Sequence, residues 1–341
     1  MKAWVKITCV LVLSVTVVAC QIGPESDPVR EFRGTEGVEL RFGKEAPPQT
    51  VYDDQSFFVT LDLHNQGATS VNDSTGPIIA QLNTQNLFYL QQEGGRTEDM
   101  RQEVTLDGKS DVRPNGEETS VSFGTFNVSP REQVGEFQET TELLQARICY
   151  PYKTLESDTL CIENSIRDSR TSDPLCRAGT KRYSGNGAPV AITKIENLLV
   201  PVGQVEEVIN REELVFDDGR ITGTRTVEEE VDQLVQEPVL KLTIRNKGGG
   251  RPITGDNVCD PDVDGEENTV RVNAELGNTE LDCTPELVRL DDGRGTTKCR
   301  SSEGLSVNTN YESIFTGELT YTYVESITKD INIRQRPGFN E

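Results

Sequence analysis

The sequence predicts an all-β protein built as two tandem β-sandwiches, with one short helix inside the second. Three observations carry that expectation. Apolar residues alternate in short runs, the period-two pattern of a strand with one face on a core and one in water. One such run occurs twice, as VTLDLHNQG at 59–67 and LKLTIRNKG at 240–248, offset by 181 positions. Each copy ends in Asn-x-Gly (Asn65–Gly67 and Asn246–Gly248), residue types that accept the positive φ needed to turn the chain away. Finally, ICYPYKTLESDTLCI (148–162) matches LTYTYVESITKDINI (319–333) without a gap at an offset of 171. Tyr150 and Tyr152 fall on Tyr321 and Tyr323, and two ungapped matches in the same order imply an internal duplication.

Taken in order, the first sandwich spans 38–165. Val38, Leu40 and Phe42 alternate as its first strand, which Ala46-Pro47-Pro48 ends. Phe57 to Leu63 follow, then Ile78, Ile79 and Leu82, then SVSFGTFNV (120–128), and last Leu144, Ala146, Ile148 and Tyr150. The ICYPY run and its copy read as closing hairpins, the first turning near Leu155-Glu156. Residues 166–186 form a linker, and the second sandwich spans 187–341. It opens at Gly187-Ala188-Pro189, echoing Ala46-Pro47 at an offset of 142, so growth of the offset to 181 places a 39-residue acidic insertion at about 198–236. At its end, Thr226 and Glu229 form a capping-box pattern, and Val227, Val231, Leu234 and Val235 recur at helical spacing. That spacing predicts a helix over 226–237, with its apolar face packed on its own domain or docking a partner.

The first twenty residues give an address. Lys2 and Lys6 precede an apolar run, Ile7 to Val18. At about 1.5 Å per residue such a run reaches roughly 18 Å, short of a hydrocarbon core of about 30 Å, which predicts a cleaved signal over 1–19 rather than a membrane span. The run ends Val17-Val18-Ala19-Cys20, which resembles the lipobox of prokaryotic lipoproteins. The resemblance implies cleavage before Cys20 and a lipid on its sulfur, hence an extracytoplasmic protein held on the cell membrane and facing outside. An ordinary signal cleaved nearby would instead leave Cys20 as an unpaired thiol. Residues 20–37, rich in Gly, Pro and charge, read as a tether.

Charge narrows the partners. The formal net charge is −23, and removal of Lys2 and Lys6 with the signal leaves −25. A polyanion of this strength repels nucleic acid and anionic surfaces, which excludes both as expected ligands. Only 11 of the 34 basic residues are Lys, an acid-rich and Lys-poor composition suited to high salt or simply to an acidic secreted protein.

Of eight Cys, Cys9 leaves with the signal and Cys20 takes the lipid. An even six behind an export signal read as three disulfides. Cys149 and Cys161 fall on opposite arms of the expected hairpin and are paired on that ground. Cys283 and Cys299 flank a loop of 15 residues, whose closure is worth about 3 kcal/mol in the chain-entropy model. Cys176 and Cys259 pair by elimination.

Little in the chain points to catalysis. His64 is the only histidine, so no Ser-His or Cys-His pair exists, and no Gly-rich phosphate loop follows a strand. One stretch carries metal chemistry: Asp260-Pro-Asp262-Val-Asp264-Gly265-Glu266 has the D-x-D-x-D-G form of a calcium loop. It departs from the EF-hand at the twelfth position, where Arg271 replaces the bidentate Glu. Two readings stand, a structural calcium loop at Asp260, Asp262, Asp264 and Glu266 or an acidic surface turn; no other cofactor is expected. Asn72-Asp-Ser74 and Asn127-Val-Ser129 are glycan acceptor sequons.

The strand and turn VTLDLHNQGATSV (59–71), its copy LKLTIRNKGGG (240–250) and the entry GAPVAITKIE (187–196) resemble the CARDB-type, immunoglobulin-like domains of prokaryotic surface proteins. The whole, with its Cys-Tyr-x-Tyr run, is similar to uncharacterised lipoproteins of small-genome archaea. The resemblance implies immunoglobulin-like sandwiches and a surface adhesion or scaffold role. Three functions follow as expectations: a non-catalytic surface scaffold that binds another protein or a glycan, a subunit of a surface layer or filament joined at sheet edges, and, least favoured, a hydrolase using two carboxylates.

Overall fold

The computed structural model describes residues 34–84, 89–93, 100–129, 139–162, 176–217, 220–260, 263–301 and 311–336. The expected signal, Cys20, most of the tether and residues 166–175 of the expected linker lie outside these residues. The described residues contain no α-helix. The first half runs β1 (Val38–Phe42), β2 (Thr50–Tyr52), β3 (Ser56–Asn65), β4 (Ile78–Thr84), β5 (Leu90–Gln92), β6 (Arg101–Val104), β7 (Glu118–Val128) and β8 (Glu139–Ile162). The second runs β9 (Thr180–Arg182), β10 (Val190–Asp217), β11 (Arg220–Asn246), β12 (Arg251–Thr254), β13 (Glu266–Glu267), β14 (Thr269–Leu276), β15 (Thr279–Thr284), β16 (Leu287–Arg289), β17 (Arg294–Ser301) and β18 (Tyr311–Arg334).

Alternation builds the core. In β3, Phe57, Val59, Leu61, Leu63 and Asn65 are buried while the residues between them are not. In β11, Leu240, Leu242 and Ile244 are buried likewise. Strands β1-β3-β7-β5 form a four-stranded sheet. The other described strands join a larger sheet whose main path is β6-β4-β8-β18-β14-β15-β17-β11-β10-β9. One buried cluster spans both sheets, from Val38 and Leu61 through Ile148 and Tyr150 to Leu242 and Ile333.

The centre of this arrangement is the duplicated run paired with itself. β8 and β18 are antiparallel over their full lengths, from Tyr311 opposite Ile162 to Arg334 opposite Glu139. Because the copies are offset by 171, Pro151 stands opposite its own equivalent, Thr322, and a local two-fold axis passes between them. Tyr150 therefore faces Tyr323, and Tyr152 faces Tyr321. The four rings pack in a closed circuit with centroid separations of 5.6, 5.9, 6.2 and 6.1 Å.

Each hydroxyl of the quartet accepts from a backbone amide of its own half, and two also reach across: Tyr152 Oη donates to the Gly187 carbonyl at 3.3 Å and Tyr321 Oη lies 3.0 Å from Thr154 Oγ1. Val38 N donates to Tyr150 Oη at 3.0 Å and Val190 N to Tyr321 Oη at 3.3 Å. Thr69 N donates to Tyr152 Oη at 3.3 Å and Gly250 N to Tyr323 Oη at 2.9 Å. The repeated Asn-x-Gly turns complete the pattern: Asn65 Nδ2 donates to the Thr69 carbonyl at 2.9 Å, and Asn246 Nδ2 to that of Gly250 at 2.7 Å. Gly67 and Gly248 are glycine because a Cβ at either would collide with the hydroxyl of Tyr152 or Tyr323. Burial pushes the Tyr150 and Tyr321 hydroxyls well above their ordinary pKa, so they remain donors and acceptors rather than phenolates.

Several expectations are corrected. Residues 226–237 are strand, within β11 and opposite Val200–Glu212 of β10. Val227, Val231 and Val235 are β-branched and suit a strand as well as a helix face; a partner strand across Asp218-Gly219, a strong hairpin dipeptide, selects the strand. The expected closing hairpins are two continuous strands of 24 residues each. Leu155-Glu156 carries no turn-forming residue, and each copy supplies the other with a full-length partner. The entry of the second half matches Val190 to Val38, each capped by its tyrosine, in place of Ala188-Pro189 to Ala46-Pro47.

The disulfides change for the same reason. Cys149 and Cys161 lie twelve residues apart on one strand, roughly 40 Å at 3.3 Å per residue, far beyond bonding range. Cys149 bonds Cys259 instead, and Cys161 bonds Cys176, with Cα atoms 5.5 and 5.8 Å apart. Cys283 bonds Cys299, opposite it across β15 and β17.

Glu31–Glu341 cluster as one compact unit. Chemical unfolding is therefore expected as a single transition. Tyr150→Phe and Tyr321→Phe should each lower its free energy by about 1–3 kcal/mol, the cost of a buried N–H left without its acceptor. Two separate transitions, with each variant shifting only one, would contradict the shared core. Non-reducing peptide mapping should recover the Cys149–Cys259 and Cys161–Cys176 linked peptides and none joining Cys149 to Cys161.

Candidate functional site

The feature that departs furthest from the frame is the β10–β11 hairpin. β17 pairs with β11 over Val239–Arg245, and β9 pairs with β10 over Lys194–Glu196. Beyond those positions, the described strands β10 and β11 pair only with each other, out to Asp217 opposite Arg220. About twenty residues on each side at ~3.3 Å per residue make a two-stranded arm of roughly 65 Å. Residues 198–238 hold 11 acidic and three basic residues, so the arm carries −8 of the chain's −23. A two-stranded ribbon has little core of its own, so its root must hold it.

The root is built by four elements. The Cys161–Cys176 bond fastens the segment before β9 to β8. Asn197 Nδ2 on β10 donates to the Cys161 carbonyl at 3.2 Å. Lys194 and Lys241 flank Glu196 at 2.6 and 3.8 Å, and the Lys194 hydrogen bond is the main reason that carboxyl titrates below its ordinary range. Between these strands lies a cavity of about 310 Å³, lined by Thr159, Cys161, Cys176, Lys181, Asn197 and Glu312 among others.

Beside the cavity sits a partly buried polar cluster. Glu156 is only 8% exposed and accepts a hydrogen bond from Asn186 Nδ2. Asp158, two residues along the same face of β8, accepts one from Tyr183 Oη at 2.8 Å and pairs with Lys181 Nζ at 3.3 Å. Burial first, and the charge of Asp158 second, push the Glu156 carboxyl up to about 7. Burial and the Asp158 hydrogen bond likewise raise the Tyr183 hydroxyl. The cluster can therefore take up or release a proton near neutrality at the base of the arm.

The residues singled out from sequence are dispersed. The Asp-rich loop lies on the outer face of the β8–β18 sheet, held by the Cys149–Cys259 bond. There Ile79, Cys149, Ile253, Val258 and Val324 form a second small core. Asp262 is outside the described residues. Asp260 N donates to the Asn257 carbonyl at 2.9 Å, and the Glu266 carbonyl accepts from the Thr269 hydroxyl. Among the described residues, no group of three or more His, Cys, Asp or Glu is placed to hold a metal. His64 Nε2 lies 2.7 Å from the Asn115 carbonyl. Asn72 stands in a turn and accepts from Ser74 N at 3.0 Å; Asn127 is paired on both sides in β7 and accepts from Ser56 Oγ at 2.7 Å.

No protein-family model and no curated protein matches the chain.

The Glu156 shift has a definite sign. The folded protein keeps a proton that the unfolded chain, with an ordinary carboxyl near 4.5, has released. Between about pH 4.5 and 7 that group makes stability fall as pH rises, and the loss levels off above 7. Glu156→Gln, which keeps the Asn186 contact without the charge, is expected to flatten this part of the profile and to gain most over the parent above pH 7. Urea unfolding at several pH values, compared between the two proteins, measures it; parallel profiles would disprove the assignment.

Proposed function

We propose that the protein is a non-catalytic scaffold of the cell surface, held on the membrane by a lipid on Cys20 and presenting paired immunoglobulin-like sandwiches to a protein or glycan partner. The observation that carries this reading is the acidic β10–β11 arm, rooted by a disulfide and a partly buried cluster in a frame that is zipped shut along β8 and β18. Such a frame resists bending, and an anchored arm of roughly 65 Å suits contact with a surface beyond the protein's own body. The arm's charge supports an encounter steered by electrostatics, and a partner whose contacting face is basic. The export run, the lipobox-like Val17-Val18-Ala19-Cys20 and the disulfides agree with an extracytoplasmic address.

A second reading, a subunit of a surface layer or filament, draws on the same feature. Both long edges of the arm lack a third strand among the described residues, which is what strand addition requires.

One experiment addresses both. The labelled chain without residues 1–20 is added to cell envelopes of the source organism, beside a variant in which 200–237 are replaced by Asn-Gly. The intact chain is expected to bind saturably, with affinity that falls as salt rises. The shortened variant is expected to keep its unfolding midpoint and lose binding. Equal binding by both would overturn the role of the arm. Self-association of the intact chain alone, with no envelope binding, would move the assignment to the layer subunit.

A further inference from the structure

The outer face of the central sheet carries a second feature, unrelated to the arm. Along β8, Ile148, Tyr150 and Tyr152 face the core, which puts Gln145, Arg147 and Cys149 on the opposite face. Register brings Ser326 of β18 opposite Arg147, and Arg251 of β12 opposite Val324. Gln145, Arg147, Gly249, Gly250, Arg251, Val324 and Ser326 line a cleft of about 410 Å³. The small core around the Cys149–Cys259 bond adjoins it through Val324.

Two guanidinium groups share this cleft. Arg251 pairs with Glu267 at 3.1 Å. Arg147, half-buried, has no carboxylate partner among the described residues, although the chain holds 57 acidic residues against 34 basic ones. Its own burial and the nearby Arg251 charge lower its pKa, which is the signature of a positive group short of a counter-charge. On the same rung, one strand beyond Gln81, lies Arg101.

The local two-fold axis supplies an internal control. Rotation carries Arg147 onto Glu318, Val324 onto Lys153 and Ser326 onto Leu155. At that related place the cation is answered by the chain itself, since Lys153 Nζ meets Glu318 at 3.0 Å. At the Arg147 place the residue equivalent to Lys153 is Val324 and the residue directly opposite in the ladder is Ser326, so neither position supplies a carboxylate. A partly desolvated pair of like charges is unfavourable alone and becomes favourable with an anion between them. The planar forks of arginine match the two oxygens of a carboxylate or phosphate.

We propose that this cleft binds one oxyanion group, a carboxylate or a phosphate, carried by a small ligand, between Arg147 and Arg251. The site stands independently of the surface-scaffold reading. Calorimetric titration of the chain at low salt with inorganic phosphate, and separately with glucuronate, tests it and distinguishes the two sources. At least one probe is expected to bind in roughly the millimolar range or tighter, with Arg147→Gln weakening it about tenfold. Arg147→Lys should recover only part of that loss, because it restores the charge without the fork. Glu267→Gln should tighten binding severalfold, since it frees Arg251 from its internal competitor; a purely structural role for Arg147 predicts no such gain. If Arg147→Gln fails to fold, the direction of the Glu267→Gln effect decides. Absence of binding by both probes, or binding indifferent to Glu267→Gln, overturns the proposal.

Discussion

The structure depends on one pairing: a strand and its own duplicate, antiparallel, with four tyrosines where they cross. An ordinary two-fold homodimer makes this kind of contact between two chains, residue i meeting j and j meeting i. Here both partners belong to one chain, and the rest of each half is hung from the tyrosine hydroxyls. Tyr150 and Tyr321 hold the starts of β1 and β10, and Tyr152 and Tyr323 hold the loop after the Asn-x-Gly turn. A tyrosine suits the task because its ring fills the core while its hydroxyl satisfies a buried backbone amide. The two halves thus share a core.

Duplication also makes differences between the halves readable. Where both copies keep a residue, as at Asn65 and Asn246 or Gly67 and Gly248, the same local contact recurs. Where they differ, the second half has gained something: the arm, the Asp-rich loop stapled by Cys259, and the Arg251 side of the outer cleft. The ion pair of Lys153 with Glu318 shows what an internally neutralised version of that cleft looks like.

Much of the frame is legible in the sequence, and the failures have a common cause. Val59, Leu61 and Leu63, and Val121 and Phe123, alternate strictly, and alternation is a local property that burial then obeys. The repeated ICYPY run is also visible, but no local pattern says whether such a run folds back on itself or pairs with a copy 171 residues away. A hairpin would set Cys149 beside Cys161 and leave Cys176 for Cys259, whereas the continuous strand holds the first two far apart and so changes both bonds. The residues 226–237 repeat the lesson: valines at 227, 231 and 235 fit either period, and a partner around twenty residues earlier decides. Glu156 and Arg147 were invisible for a different reason. Among 57 acids and 34 bases nothing in composition marks one, and only burial and unequal neighbours distinguish them.

The position of β18 has a consequence for how the molecule is made. β18 is the last strand described, yet it is the only full-length partner of β8 and also pairs with β2 near the start of the frame. A chain that emerges from its N-terminus therefore presents β8 with an unpaired edge of 24 residues until residues 311–334 arrive. Such an edge invites pairing with the same strand of another copy. Synthesis thus includes an interval in which the first half waits open, and a chain cut short before Tyr311 would leave that edge permanently exposed.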